Sequence, residues 1–269
     1  MEERIPGQLE KLPEVHLLRI AEAGYDGACL DPNTSEIDDC LKLKPQFYDL
    51  GLKCMVNAFP HDAQSLEPLL EMASSLEATQ VNIIGGVMPL SAVDAVPLIE
   101  GWLDLASEYP FPVLMETHRN GTLNDLFYTL EVIAMVPKLR LCADLSHFVV
   151  DRELQIPLSS SDASYFSQII ERSDSFQGRI SNNQQIQVPL DFQQHAPWVE
   201  LYLGWWEEGF RAWSSRNPDK ETLRFLVELG PPPYAITDSG QKELSDRWAE
   251  GMLIRQWVQS IWAKIFKGQ

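Results

Sequence analysis

The feature that most constrains this chain is a repeating order: a short β-favouring apolar run, a loop, then a stretch with helical periodicity. The runs fall at 26–31 (DGACLD), 52–58 (LKCMVNA), 79–86 (TQVNIIGG), 111–117, 139–145, 175–181 (SFQGRIS) and 223–229. Between them, Leu66, Leu69, Leu70 and Ala73 recur at spacings of 3 and 4, as do Leu126, Leu130 and Ile133, with Thr122 and Asp125 marking a helix start. Strands that alternate with helices pair in parallel, so the chain is predicted to be α/β with one parallel sheet. At 269 residues without a low-complexity linker or internal repeat, residues 1–269 read as a single domain, since an α/β barrel uses about 250 residues as one.

Acidic residues stand where three of these runs end. Glu116 closes PVLME, Asp144 follows LRLCA, and Glu228 ends LRFLVE, each followed by loop-like residues. In a barrel of parallel strands the C-terminal ends converge on one mouth, so carboxylates far apart in sequence can meet around one cation. That spacing predicts a metal-assisted enzyme.

Composition narrows the partners. The formal charge is −18, with 21 dispersed Lys and Arg against 39 Asp and Glu, which excludes a phosphate-backbone ligand and weakens any endonuclease reading. A hydrophobic fraction of 45% and eight Trp allow a large core, and no apolar stretch reaches the roughly 20 residues that span a bilayer. Cys29, Cys40, Cys54 and Cys142 lack CxxC spacing and read as reduced structural thiols. No basic segment followed by an apolar one opens the chain, so a cytoplasmic location is predicted.

Other signals read as structural. Trp198, Tyr202, Trp205, Trp206 and Phe210 lie at helical spacing and suit packing better than a ligand platform. The last segment carries Ile254, Trp257, Val258, Ile261, Trp262 and Ile265 on one broad face and should dock on the body of the fold. Gly85 and Gly86 read as a tight strand exit, without the GxGxxG or GxxxxGK context of a phosphate cradle. Ser146 between Asp144 and His147 mimics a hydrolase triad but lacks a GxSxG elbow. Residues 182–197, amide-rich and Pro-containing, suggest a long loop able to cover a ligand.

Taken in order, AEAGYDGACLD, ETHR, ADLSH, QGRI, ELGPPPY and SDRW resemble the xylose-isomerase-like superfamily of TIM barrels, the sugar phosphate isomerases and epimerases. The resemblance implies a TIM (β/α)8-type barrel. It also implies a divalent cation (Mn, Mg, Co or Zn) held by Glu, Asp, His and Glu from successive strands, with the two Glu moving a proton beside a sugar carbonyl. Carried over, Glu116, Asp144 and Glu228 match three ligands, and Glu116 and Glu228 the catalytic pair. The third ligand, a His in an HxR motif, is here Gln177 before Gly178 and Arg179. An amide lacks the imidazole nitrogen that suits Zn, Co or Mn, so affinity should fall or the metal should change.

Substrate contacts are expected from His118, two residues past Glu116, from His147, three past Asp144, and from Arg179, which shares a strand face with Gln177. The amino end offers no first strand, leaving seven recognisable. Unpaired edges would then be covered either by residues 1–16 or by self-association into a homo-oligomer. The predicted function is therefore a metal-dependent isomerase or epimerase of a small carbohydrate-like substrate working through an enediolate. A sugar-acid or cyclitol dehydratase or lyase on the same fold, and a metal-free binding or partner-subunit barrel, are the alternatives.

Overall fold

The computed structural model describes residues 12–266. Among them are seven strands, one at each predicted run, and every pairing within each unit is parallel. The described residues form two compact units, residues 12–139 and residues 140–266.

The first unit runs α1 (Pro13–Glu22), β1 (Gly27–Leu30), α2 (Ile37–Leu41), α3 (Lys44–Asp49), β2 (Lys53–Ala58), α4 (Ala63–Ser75), β3 (Val81–Ile83), α5 (Ala92–Ala106), β4 (Val113–Glu116) and α6 (Leu126–Met135). Strands β1 to β4 pair in sequence order. The inner strands β2 and β3 are buried almost throughout, which is why they read as near-continuous apolar runs rather than alternating ones. Helix starts follow local chemistry: Asp62, Ser91 and Asp125 each accept from the backbone N–H three residues on. Asp125 confirms the helix start read from the sequence. Leu66, Leu69, Leu70 and Ala73 are all buried.

The second unit runs β5 (Leu141–Ala143), α7 (Leu145–Asp151), α8 (Ser160–Arg172), β6 (Ser173–Gln177), α9 (Ala196–Arg216), β7 (Arg224–Leu226) and α10 (Arg247–Phe266). Its strands pair in the order β5, β6, β7. The aromatic stripe packs as expected: Trp198, Tyr202, Trp205, Trp206 and Phe210 are buried. Trp205 stacks on Phe166 with ring centroids 4.5 Å apart, and Trp206 meets Phe225 edge-on at 5.1 Å. The terminal helix docks on α9 through Trp262 against Phe210 and Trp213.

The loop at 182–192 is tied down rather than loose. Asn182 Oδ1 accepts from the N–H groups of Gln184 and Gln185, Val188 N–H donates to Ile180, and Leu190 N–H donates to Glu250 on α10. Burial raises the Glu250 carboxyl above its ordinary range, against the lowering effect of the Leu190 N–H. All four cysteines are free thiols, and burial pushes Cys54 up to about 12. No described helix is long and apolar enough to cross a membrane. The cover expected from residues 1–16 lies, up to residue 11, outside the described residues.

Candidate active site

In the second unit the C-terminal ends of β5, β6 and β7 carry Asp144, Gln177 and Glu228. Asp144 is the residue after β5 and caps α7: its Oδ1 accepts from Ser146 N–H at 2.9 Å and from Ser146 Oγ at 2.5 Å. Its Oδ2 lies 3.4 Å from His147 Nε2 and 3.5 Å from Arg179 Nε. Ser146, Asp144 and His147 therefore do touch, but the serine hydroxyl donates to the carboxylate and not to the imidazole. That wiring positions Asp144 and makes no nucleophile.

Strand β6 starts two residues earlier than predicted and ends at Gln177, yet pairing with the β7 chain continues. Gly178 N–H donates to Leu226 O, and Glu228 N–H donates to Gly178 O at 3.3 Å. A Cβ on residue 178 would stand 2.5 Å from the Phe225 ring, so the close approach needs glycine. The result sets Arg179 beside Glu228: its Nη2 donates to Glu228 Oε1. The Arg179 side chain is only 1% exposed, and its Cζ lies 4.8 Å from the centroid of the Tyr234 ring. Burial alone would lower the guanidinium's pKa, but Glu228 and Asp144 raise it above the ordinary arginine range, so it is charged.

Behind this group Ser181 Oγ and Tyr202 Oη share a 2.7 Å hydrogen bond, and burial holds the Tyr202 phenol protonated. Ser181 Oγ also donates to Ser146 O at 3.5 Å. Tyr234 sits in the GPPPY loop, which Gln187 fastens: its Nε2 donates to Gly230 O at 3.0 Å, and its Oε1 accepts from Gly230 N–H at 2.8 Å. The second unit thus brings together Asp144, His147, Arg179 and Glu228, four of the residues predicted from sequence. Gln177 is buried at the end of β6.

The first unit holds the other two. Glu116 ends β4 and is buried. His118 is half-buried, and its Nδ1 accepts from Asn120 N–H at 3.1 Å, which leaves the proton on Nε2. Gly85 and Gly86 serve packing, as expected: a Cβ on residue 85 would be 2.2 Å from Thr122 Oγ1, and on residue 86, 2.8 Å from the His61 ring.

Sequence reasoning missed a polar chain through the strands of this unit. Gln80 Nε2 donates to Asn82 Oδ1, Asn82 Nδ2 to Asn57 Oδ1, and Asn57 Nδ2 to Asp31 Oδ1 at the end of β1, at 2.7, 3.0 and 2.8 Å. Asn in the apolar runs KCMVNA and VNII was the visible signal. Tyr234 and Gln187 were missed as well, and neither carries a local one.

No protein-family model and no curated protein matches the chain. Solved structures do. A D-tagatose 3-epimerase-like protein superposes with a TM-score of 0.61 at 11% identity, covering 92% of this chain and 94% of its own. An L-ribulose 3-epimerase gives 0.59 at 14% over 94% and 90%. A xylose isomerase domain protein from Planctomyces limnophilus gives 0.57 at 11% over 91% of each. These likenesses show the fold: an α/β, TIM-type barrel.

Proposed function

We propose that this chain is an isomerase or epimerase of a small polyhydroxylated carbonyl compound. Such an enzyme removes the proton from the carbon beside the carbonyl and returns it to that carbon or its neighbour through an enediolate. The observation that carries the reading is the Asp144, Arg179 and Glu228 cluster at strand C-terminal ends, on a fold whose similar solved structures include sugar epimerases. Glu228 is one acid-base group and Glu116 the other. His118 is assigned to substrate hydroxyls through its Nε2–H, Arg179 to substrate oxygen, and His147 to the site through its contact with Asp144.

The divalent metal that the resemblance implies would be held by Glu116, Asp144, Gln177 and Glu228. Carboxylates are the right chemistry to take a cation. The side chains as arranged do not suit one: Gln177 supplies no imidazole nitrogen, and Asp144 and Glu228 are already engaged by a guanidinium.

The test is solvent exchange. Purified protein is incubated in D2O with a panel of ketopentoses and ketohexoses, and deuterium on the carbons flanking the carbonyl is read by NMR. Incorporation with at least one sugar is expected, falling by about 10²–10⁴ in Glu228→Gln, the usual yield of a general acid-base group. No exchange with any sugar would overturn the isomerase reading, and loss of water from the sugar would replace it with the lyase.

A further inference from the structure

We propose that the Arg179 guanidinium is the resident cation of this site, meeting the charge on the substrate oxygen in place of a divalent metal. The inference rests on the isomerase reading for its chemistry and on the geometry of the second unit for its cation.

Oxygens of the two carboxylates are already occupied. A carboxylate oxygen offers two lone-pair directions. Both on Asp144 Oδ1 are used by Ser146, at 2.9 and 2.5 Å, and Oδ2 faces Arg179 Nε and His147 Nε2. Glu228 Oε1 is taken by Arg179 Nη2. One planar, permanently charged group therefore spans two of the three acids that a metal would need, and its fork geometry suits that task where a lysine would not.

Next comes the cost of displacing it. Arg179 is 1% exposed and lies against Tyr234, in a loop that Gln187 holds through both hydrogen-bonding groups of Gly230. Swinging the guanidinium out to water would undo that packing. Keeping it in place sets a divalent ion about 5 Å from a like charge, which lowers ion affinity by several powers of ten even at the effective dielectric constant of a partly solvated site.

The guanidinium still offers a donor. Arg179 Nη1 is buried and has no hydrogen-bond acceptor among the described residues, and neither has Glu228 Oε2 a donor. A buried donor of this kind is costly unless a ligand accepts from it. In the proposed step Glu228 takes the proton from the carbon beside the carbonyl, and the C–H pair becomes the C=C bond. The carbonyl π pair moves to oxygen, where Arg179 Nη1–H donates to the new oxyanion. Reprotonation of the same carbon reverses the flow and gives the epimer; reprotonation of the former carbonyl carbon, with the neighbouring hydroxyl's proton passing to the first oxyanion, gives the isomer, so neither oxidant nor reductant is needed.

The experiment is calorimetric titration of Mn2+ into the whole metal-depleted chain, paired with thermal unfolding in Mn2+. Wild type is expected to show no saturable binding below about 1 mM and no Mn2+-dependent shift in Tm. Arg179→Gln, which frees Asp144 and Glu228 of their cation, should bind Mn2+ at least about 100-fold more tightly by the same Coulomb argument. Should that variant fail to fold, Gln177→His, which supplies the imidazole and keeps Arg179, is titrated in its place and should still show no saturable binding below about 1 mM. One equivalent bound by wild type or by Gln177→His at micromolar Mn2+, or equal affinities for wild type and Arg179→Gln, would overturn the inference. Neither readout uses activity, so absence of sugar exchange would sink the isomerase reading and leave the question of the resident cation decided separately.

Discussion

Gln187 links the loop after β6 to the loop after β7, and its removal should be felt in both. Its side chain is 3% exposed and makes two hydrogen bonds to the backbone of Gly230. Each is worth about 1 kcal/mol net, and truncation to alanine also loses a buried methylene worth about 0.8 kcal/mol. Gly230 is half-buried, so water can reclaim part of what its N–H and C=O lose. Gln187→Ala is therefore expected to cost about 2–3 kcal/mol. Gln187→Met, which keeps the bulk, should cost about 2 kcal/mol, the hydrogen-bond part alone. Gln187→Glu keeps the acceptor for Gly230 N–H but turns a carboxylate oxygen against Gly230 O, so it should be no milder than alanine.

Urea unfolding followed by the fluorescence of the eight Trp measures these differences, with the denaturant slope unchanged if only stability moves. For a chain of this size the alanine variant should melt about 4–8 °C lower. Native-state exchange of the Gly230 amide should accelerate by a comparable free energy. A loss under about 0.5 kcal/mol for alanine, the size of an ordinary surface change, would refute the reasoning.

Two further outcomes follow from packing and charge in the second unit. Asp174 accepts from Arg140 and Arg216, which together outweigh desolvation and hold its carboxyl below the ordinary value of 3.8. A depressed carboxyl stabilises the fold above its unfolded pKa and ceases to as pH falls through its folded one. Asp174→Asn should thus cost about 1–3 kcal/mol from pH 7 to 5, with the gap to wild type closing below about pH 4; a gap of constant size down to pH 3 in urea titrations would be the wrong answer. Gly209→Ala places a Cβ 2.3 Å from Phe176 Cζ, and the overpacking of about 1–3 kcal/mol should exceed the helix-propensity gain of about 1 kcal/mol. A stabilised variant in thermal melts would mean that the Phe176 ring can turn aside.

How far the amino acids alone reveal this molecule differs by level. Strands β2, β3, β4 and β5 were legible because strands buried on both faces must be apolar along their length, whatever they pack against. Their ends were overrun because the runs continue past the last paired residue, as Ile84 does after β3. Strand β6 shifted for a local reason: α8 stops at Arg172, Ser173 turns extended, and its Oγ returns to Ile169 O, so pairing begins earlier than SFQ suggests. The carboxylates were legible as residues that close strands, because position along a strand is a property of sequence.

What neutralises those carboxylates is not such a property. Arg179 stands 35 residues from Asp144 and 49 from Glu228 along the chain, and it reaches both only because a glycine at 178 lets β6 lie close to the β7 chain. A His at position 177 would have carried its meaning in the motif itself; an Arg at 179 acquires one only from its tertiary ion pairs with Asp144 and Glu228. The same two strand-end acids, Asp144 and Glu228, can therefore frame a metal or an internal guanidinium. The deciding observation is which oxygens are already accepting, as Asp144 Oδ1 is from both donors of Ser146.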